Sequence, residues 1–321
     1  MRRRSLRLGS GGEFDRLRAI FATLGAAGRD LGDDCALLSV GGRTLAISID
    51  LSLEGVHFRT DWLAFREIGW RATTAALSDL AAEGATPLGV LVSLGVPGNR
   101  QRRTGNASPA VQIMAGVGAA ARSVGARVLG GDLVRSPRYL VDVCVLGVAQ
   151  RPVRRSGARP GDGLWVTGRL GGAGLALAAL RARRRLAPAL RRRFARPVPR
   201  IGAGLWLGRH DARAMIDLSD GLSGDAAHLA AASGLAIAIE LERVPCWPGV
   251  TPRAAARSGE EYELLVALPQ RFGERDARTF RRATGLPLTR IGRCVAGRGV
   301  RMTDHGRPVT LPRSFDHFPG R

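Results

Sequence analysis

Runs of branched apolar residues alternate along the chain with stretches in which apolar side chains recur every three or four positions. Residues 44–49 and 139–148 are rich in branched apolar side chains and predict β-strands. Residues 65–83 carry apolar side chains at helical spacing and predict an α-helix that ends at Gly84. The first half of the chain is therefore predicted to mix strands with helices.

A stretch rich in proline, glycine and arginine, residues 151–162, predicts a boundary between two domains, 1–150 and 151–321. The second domain opens with a predicted strand at 163–166. A glycine-rich turn at 167–174 and an alanine- and leucine-rich helix follow. Such a turn either binds an anion through backbone N–H groups or only connects strand and helix, and the sequence leaves both interpretations open. The predicted fold class is α/β (α+β) with two domains.

Aspartates stand at the ends of five short apolar runs. They are Asp34, Asp50, Asp79, Asp132, Asp217 and Asp220. A single aspartate at such a place most often caps a helix or stabilises a turn. Carboxylates beside apolar segments are costly without a partner, however, and hard oxygen ligands suit Mg²⁺. Because the placement recurs, we predict a shared metal site in a protein that handles phosphate.

The net charge of +22 contrasts with this acidic set. All 49 basic residues are arginine, which indicates a general composition bias. The absence of lysine excludes a Walker A loop and a protein-kinase site. Arginines cluster at Arg2, Arg3 and Arg4 and again at 181–196, and we interpret these stretches as a frayed arm and a solvated helix face. A basic nucleic-acid-binding protein that keeps an enzyme fold is the competing interpretation.

Four scattered cysteines form no C-x-x-C pair, which argues against a zinc site or a disulfide framework and favours a reducing cytoplasm. No apolar stretch reaches the length of a membrane span, and no apolar segment of a signal peptide follows the basic start. Zinc-hydrolase and serine-hydrolase motifs are also missing. We expect a cytoplasmic protein that binds neither membrane nor nucleic acid.

Nine motifs resemble, in order and spacing, those of the thiamine-monophosphate kinase family, and they cover nearly the whole chain. They are Gly12-Glu13-Phe14, Gly32-Asp33-Asp34-Cys35-Ala36, Ser48-Ile49-Asp50 with Glu54-Gly55-Val56-His57-Phe58, Leu77-Ser78-Asp79-Leu80-Ala81-Ala82, Gly130-Gly131-Asp132, Arg155-Ser156-Gly157-Ala158, Ile216-Asp217-Leu218-Ser219-Asp220-Gly221-Leu222, Gly259-Glu260-Glu261-Tyr262-Glu263-Leu264-Leu265 and Phe315-Asp316-His317-Phe318.

This resemblance implies a fold like that of aminoimidazole ribonucleotide synthetase, with an N-terminal sheet that pairs across a homodimer and a C-terminal α/β domain. It implies ATP-dependent conversion of thiamine monophosphate to thiamine diphosphate with several Mg²⁺ ions. The implied magnesium ligands are Asp34, Ser48, Ile49 through its carbonyl, Asp50, Asp79, Asp132, Asp217 and Asp220. The implied nucleotide contacts are Gly131, Asp132, Arg155 and Ser219, and the implied substrate contacts are His57, Glu260 and Phe315.

The chemistry agrees with this assignment, because a phosphate monoester is already a nucleophile at neutral pH and needs no general base. Some positions depart from the family pattern. The family usually has threonine at Ile49 and Leu51 and a hydroxyl residue at Leu133, and Glu261 replaces an aspartate. A relative in the same superfamily that uses ATP and Mg²⁺ on another small phosphorylated or carboxylated substrate is therefore the alternative.

Overall fold

The computed structural model describes residues 6–9, 11–28, 30–98 and 107–318. Its helices are α1 (Gly12–Leu24), α2 (Phe65–Ala82), α3 (Pro109–Ser123), α4 (Gly172–Arg181), α5 (Pro188–Ala195), α6 (Ile201–Arg209), α7 (Leu222–Ser233), α8 (Pro252–Arg257) and α9 (Glu274–Thr284). Its strands are β1 (Ala36–Val40), β2 (Arg43–Leu53), β3 (Thr86–Val96), β4 (Arg127–Arg135), β5 (Leu140–Ala149), β6 (Gly163–Thr167), β7 (Ala214–Asp217), β8 (Ala236–Glu240), β9 (Leu264–Leu268), β10 (Leu288–Val295), β11 (Gly299–Asp304) and β12 (Arg307–Val309).

The N-terminal half forms a five-stranded sheet in the order β1-β2-β5-β3-β4. Only β3 and β4 pair in parallel; the other neighbours are antiparallel. Val141, Val143 and Val145 of β5 alternate inward and are fully buried against the helices. The opposite face of the sheet carries exposed apolar side chains, including Ile49, Leu51 and Leu91. Among the described residues, helices thus cover one face of this sheet, and the other face is left exposed.

Two glycines let α2 and α3 pack closely over the covered face. A Cβ atom on Gly69 would lie 1.9 Å from the carbonyl oxygen of Ile113, and one on Gly116 would lie 2.0 Å from that of Arg66. Helix α2 begins where the Glu67 carboxylate accepts a hydrogen bond from the backbone N–H of Ala64 at 2.9 Å. This contact fixes α2, which carries Asp79 in its last turn.

The C-terminal half forms a seven-stranded sheet in the order β12-β11-β8-β10-β6-β9-β7. Strands β6, β7 and β9 are buried along their whole length, and β7 ends at Asp217. Helix α2 of the first half packs against β7, and the Ser78 hydroxyl donates to the Asp217 carboxylate at 2.6 Å. The two halves therefore meet at the ends of α2 and β7, where aspartates stand.

The mixed α/β class predicted from the sequence is confirmed. The predicted strands correspond to β2, β5 and β6, and the predicted helix corresponds to α2. The domain division after residue 150 falls just beyond the end of β5 and stays a prediction. Among the described helices, none combines the length and apolar character that crossing a membrane requires.

Candidate active site

Three of the predicted metal ligands converge where the two halves meet. Carboxylate oxygens of Asp34, Asp79 and Asp217 all lie within 4.8 Å of one another. Asp34 precedes β1, Asp79 lies in the last turn of α2, and Asp217 ends β7. Elements far apart in sequence thus deliver three hard oxygen donors to one point, which is the ligand type that Mg²⁺ prefers.

Two serine hydroxyls orient these carboxylates. Ser48 donates to the Oδ2 of Asp79 at 2.5 Å, and Ser78 donates to the Oδ2 of Asp217. Burial and the neighbouring carboxylates raise the pKa of Asp79 well above its usual value, and burial and Asp34 raise the pKa of Asp217 to about 7. Arg155 alone does not balance the charge of these carboxylates, and a divalent cation held by their oxygens would supply the rest. The residues present fit Mg²⁺ by donor type and by charge.

Arg155, implied as a nucleotide contact, lies directly beside this cluster. Its Nε and Nη2 donate to the two carboxylate oxygens of Asp34 at 3.1 and 2.9 Å, and its backbone N–H donates to Asp33 at 2.9 Å. The paired Asp34 side chain is fully buried. The guanidinium thus fixes the orientation of the Asp34 carboxylate. Carboxylate oxygens of Asp79 and Asp217 lie within reach of the same carboxylate.

A second pair of carboxylates, Asp50 and Asp220, connects the cluster to a large cavity. Both line a cavity of 1340 Å³. Burial, followed by repulsion from Asp142, raises the pKa of Asp50 to about 6, and burial with repulsion from Glu13 raises that of Asp220 to about 6. Asp50 also contributes to the raised pKa of Asp79. The acidic groups therefore interact as one electrostatic unit from the cavity wall to the cluster.

The predicted substrate contacts all line the same cavity. They are His57, Glu260 and Phe315, and Ser219 lines it as well. The backbone N–H of Leu53 donates to Nδ1 of His57 at 3.1 Å, so the neutral ring carries its proton on Nε2. Burial, with the nearby His317, lowers the pKa of His57. The Phe315 ring is 55% exposed and can stack on a flat heterocycle.

Gly131 and Asp132 are predicted site residues that lie neither in this cluster nor on the cavity wall. Both are exposed on β4, the edge strand of the N-terminal sheet. A Cβ atom on Gly131 would lie 1.9 Å from the carbonyl oxygen of Val92, so the backbone requires glycine there. Asp132 pairs in register with Ser93, whose side chain is exposed, whereas the inward-facing neighbour Val92 is buried. Asp132 therefore lies on the uncovered face.

Ile49 also has its side chain on the uncovered face, where it is 66% exposed. Because successive residues of a strand point to opposite faces, Ser48 and Asp50 point to the other side. The Ile49 side chain cannot contribute to the cluster, and only its backbone carbonyl is left as a candidate ligand.

The glycine-rich turn before α4 holds an internal anion. The backbone N–H groups of Gly171 and Ala173 donate to Oε1 of Glu261 at 2.8 and 3.0 Å, and Ser258 donates to the same oxygen. Glu261 is fully buried and pairs with Arg193 at 2.7 Å. Of the two interpretations left open by the sequence, the anion cradle is thus realised, with a carboxylate of the chain itself as the anion.

The interpretation of residues 181–196 as a solvated helix face is wrong for two arginines. Arg193 is 9% exposed and contacts both Glu261 and Glu263, while Arg191 pairs with Glu67. Arg192, between them, is exposed as expected. The other predicted basic stretch, Arg2 to Arg4, lies outside the described residues.

We expect Arg193→Met to lower the free energy of unfolding by about 3–5 kcal/mol, because it leaves the buried carboxylate of Glu261 without its cation, whereas Glu263 keeps Arg200. Denaturant unfolding of the purified variant measures this. The matched control is Arg192→Met on the same helix, for which a change within about 0.5 kcal/mol is expected. Equal effects of the two substitutions would contradict the assignment of Arg193 to a buried ion network.

Glu83, which directly follows α2, is a buried carboxylate that the sequence analysis did not identify. Neither of its carboxylate oxygens has a hydrogen-bond partner among the described residues. Burial, with repulsion from Asp33 and Asp34, raises its pKa from 4.5 to about 10. At neutral pH the folded protein therefore keeps a proton on Glu83 that the unfolded chain releases.

Stability of the metal-free protein should consequently fall as pH rises from 6 to 9, by up to about 1.4 kcal/mol per pH unit from Glu83 alone. Glu83→Met removes this proton linkage. The melting temperature of the variant should therefore exceed that of wild type by a difference that grows with pH. The control is Glu242→Met at an exposed position, for which no growing gain is expected. Parallel plots of melting temperature against pH for wild type and Glu83→Met would refute the linkage.

Sequence reasoning also missed Arg71 and His317, which line the cavity. His317 lies 4.7 Å from the Phe315 ring and 5.1 Å from the His57 ring, between centroids. Arg71 stands eight residues before Asp79 on α2 and thus on the same side of the helix. This spacing was the available signal for Arg71, since it places a cation on the face that carries the aspartate.

Comparison with known proteins agrees with this geometry. Residues 32–149 match the family described as "AIR synthase related protein, N-terminal domain", and residues 159–305 match "AIR synthase related protein, C-terminal domain". The thiamine-monophosphate kinase of Salmonella typhimurium is 33% identical over 96% of this chain and 98% of its own length. That of Aquifex aeolicus is 33% identical over 98% of this chain and 100% of its own length.

Solved structures show the same relationship. The structure described as AaThiL complexed with AMPPCP and TMP superposes with a TM-score of 0.83 at 31% identity, covering 96% of this chain and 97% of that one. The thiamine-monophosphate kinase from Stenotrophomonas maltophilia K279a gives a TM-score of 0.74 at 31% identity, covering 95% and 99%. The chain therefore belongs to the thiamine-monophosphate kinase family of AIR synthase related proteins.

Proposed function

We propose that the protein transfers the γ-phosphoryl group of ATP to thiamine monophosphate and releases thiamine diphosphate and ADP. The observation that carries the proposal is the convergence of Asp34, Asp79 and Asp217 beside a cavity lined by His57 and Glu260. Membership of a family whose named relatives are thiamine-monophosphate kinases supports the choice of substrate, as does the neighbour bound to AMPPCP and TMP.

The residues of the site form two sets with different roles. The acidic groups at the domain junction, with Ile49 offering only its carbonyl, hold Mg²⁺, and Arg155 and Ser219 meet the nucleotide. Bound Mg²⁺ supplies the positive charge that lets two phosphate groups approach in line. The acceptor's own phosphate oxygen attacks, so none of the side chains has to remove a proton.

A second set of cavity residues recognises the acceptor. Glu260 is 31% exposed there and complements a cationic or amino-bearing ring, while Phe315 stacks on a flat heterocycle. His57 directs its Nε2–H at an acceptor such as a phosphate oxygen.

We further propose that the working unit is a homodimer in which Asp132 comes from the second copy. Three strand spacings of about 4.8 Å separate β4 from β2, so Asp132 lies about 14 Å from the strand that carries Asp50. It also lies on the opposite face. A second copy packed on the exposed apolar side chains Ile49, Leu51 and Leu91 would cover them and bring its own Asp132 to that face of β2, opposite the side chain of Asp50.

The experiment that tests the proposed activity incubates the purified protein with ATP, Mg²⁺ and either thiamine monophosphate or free thiamine. We expect thiamine diphosphate and ADP from thiamine monophosphate, and little product from free thiamine, which lacks the attacking phosphate. Equal or faster turnover of free thiamine would contradict the mechanism. Turnover of neither would favour a relative acting on another phosphorylated or carboxylated acceptor, which the changed positions Ile49, Leu51 and Leu133 leave as the second candidate.

A further inference from the structure

Arg71 is a buried cation in the cavity wall, and the proposed phosphoryl transfer gives it no role. It lies on α2 of the N-terminal half, and its side chain is only 5% exposed. Its Nη2 lies 2.5 Å from a carboxylate oxygen of Glu260, and its Nη1 donates to the backbone carbonyl of Phe194. Its guanidinium carbon also lies 4.3 Å from the centre of the Phe194 ring. Three contacts from two segments, one around Glu260 and one around Phe194, thus fix one planar group.

Glu260 is held at its backbone as tightly as at its carboxylate. Glu260 and Tyr262 adopt φ values of 57° and 51°, in the left-handed region that costs free energy for residues other than glycine. The N–H of Glu260 donates to the carbonyl of Ser219 at 2.6 Å, and that of Tyr262 donates to the carbonyl of Leu218 at 2.9 Å. These bonds join the Glu260 backbone to the strand end that carries Asp217 and Asp220.

Charge explains why the carboxylate needs Arg71. Asp50 and Asp220 line the same cavity, and Glu260 adds to the repulsion that raises the pKa of Asp50. A carboxylate beside like charges turns away from them or takes up a proton unless a cation fixes it. Arg71 is that cation, and it lies largely buried while Glu260 stays partly open to the cavity.

We propose that Arg71 is a positioning residue: it fixes the Glu260 carboxylate toward the acceptor and so sets the affinity for the cationic ring of the substrate. This inference rests on the proposed function. It links α2, which carries Asp79 for the metal, to the loop that recognises the acceptor. Substrate recognition thereby depends on a contact between the two halves of the chain.

The test is a double-mutant cycle of Arg71→Met and Glu260→Gln, with Arg71→Lys as the charge-preserving variant. Arg71→Met should raise the KM for thiamine monophosphate by about 10-fold to 100-fold, the range expected when the ion-pair partner of a recognition carboxylate is removed. Its kcat and its KM for ATP should stay within about threefold. Arg71→Lys should recover part of the loss, and in the Glu260→Gln background Arg71→Met should add less than about twofold.

Three outcomes would overturn the inference in an active enzyme: additive effects in the cycle, equal loss of kcat and kcat/KM, or a lower KM from removing a cation that merely repels the substrate. If Arg71→Met fails to fold, the KM of Arg71→Lys distinguishes a positioning role from a structural one. An unchanged KM with a lowered Tm would mean that Arg71 has a purely structural role. Arg191→Met is the matched control, since Arg191 also joins α5 to α2 without touching Glu260. A wild-type protein inactive on thiamine monophosphate would instead refute the proposed function itself.

Discussion

Asp79→Asn should reduce Mg²⁺-dependent turnover by at least about 10²–10³-fold while the protein stays folded. The substitution keeps the size of the side chain but removes one of three converging carboxylates, and losing one electrostatic contact to a transition state costs about that much in rate. The hydroxyl of Ser48 can still donate to the remaining amide oxygen. Steady-state rates over a range of Mg²⁺ concentrations measure the effect.

The same variant should leave the metal-free protein as stable as wild type or slightly more stable. Burial and repulsion from Asp217 and Asp34 raise the pKa of Asp79, so its charge is unfavourable when no cation is present. Arg192→Met is the control for general effects of charge, and its turnover should stay within a few-fold of wild type. A tolerated Asp79→Asn together with an inactive Arg192→Met would mean that the basic surface, and not the acidic cluster, is the working site.

Two inactive variants should restore activity when they are combined, if Asp132 acts on the site of the second copy. Asp79→Asn and Asp132→Asn homodimers would each have two defective sites. A mixed dimer would have one site with both substitutions and one site with neither. Because random pairing makes half of the dimers mixed, a 1:1 coexpression should recover about a quarter of wild-type activity.

The alternative arrangement makes a different prediction for the same mixture. If Asp132 reached the cluster of its own chain, each site of the mixed dimer would keep one substitution and activity would not return. Asp79→Asn mixed with Asp217→Asn is the control, since both side chains belong to one cluster in one chain. The proposal would be contradicted if activity returned in that control, or if it failed to return in the mixture of Asp79→Asn and Asp132→Asn.

The acidic cluster was predictable from the sequence because its members lie at the borders of regular elements. Asp79 ends a helix with clear periodicity, and Asp217 ends a fully buried strand, so apolar patterning places both at the border of a core. The apolar pattern could not predict that Asp132 lies away from Asp79 and Asp217. Strand order, and not spacing along the chain, puts β4 at the edge of the sheet.

The arginines were predicted less well for a compositional reason. In a chain whose 49 basic residues are all arginine, residue identity does not distinguish a buried ion pair from a solvated surface. Arg192 and Arg193 are neighbours on α5, yet one is exposed and the other contacts two buried glutamates. Only the packing of α5 against the 259–263 segment gives the two arginines different environments. That packing is a long-range property of the fold.

The most direct measurement follows the label from γ-³²P-ATP in the presence of thiamine monophosphate and Mg²⁺. We expect the label in the terminal phosphate of thiamine diphosphate, ADP as the only nucleotide product, and no label on the protein. Asp79→Asn should slow this transfer by at least about 10²–10³-fold. Formation of AMP, label retained on the protein, or equal labelling of free thiamine would contradict direct transfer to the substrate phosphate.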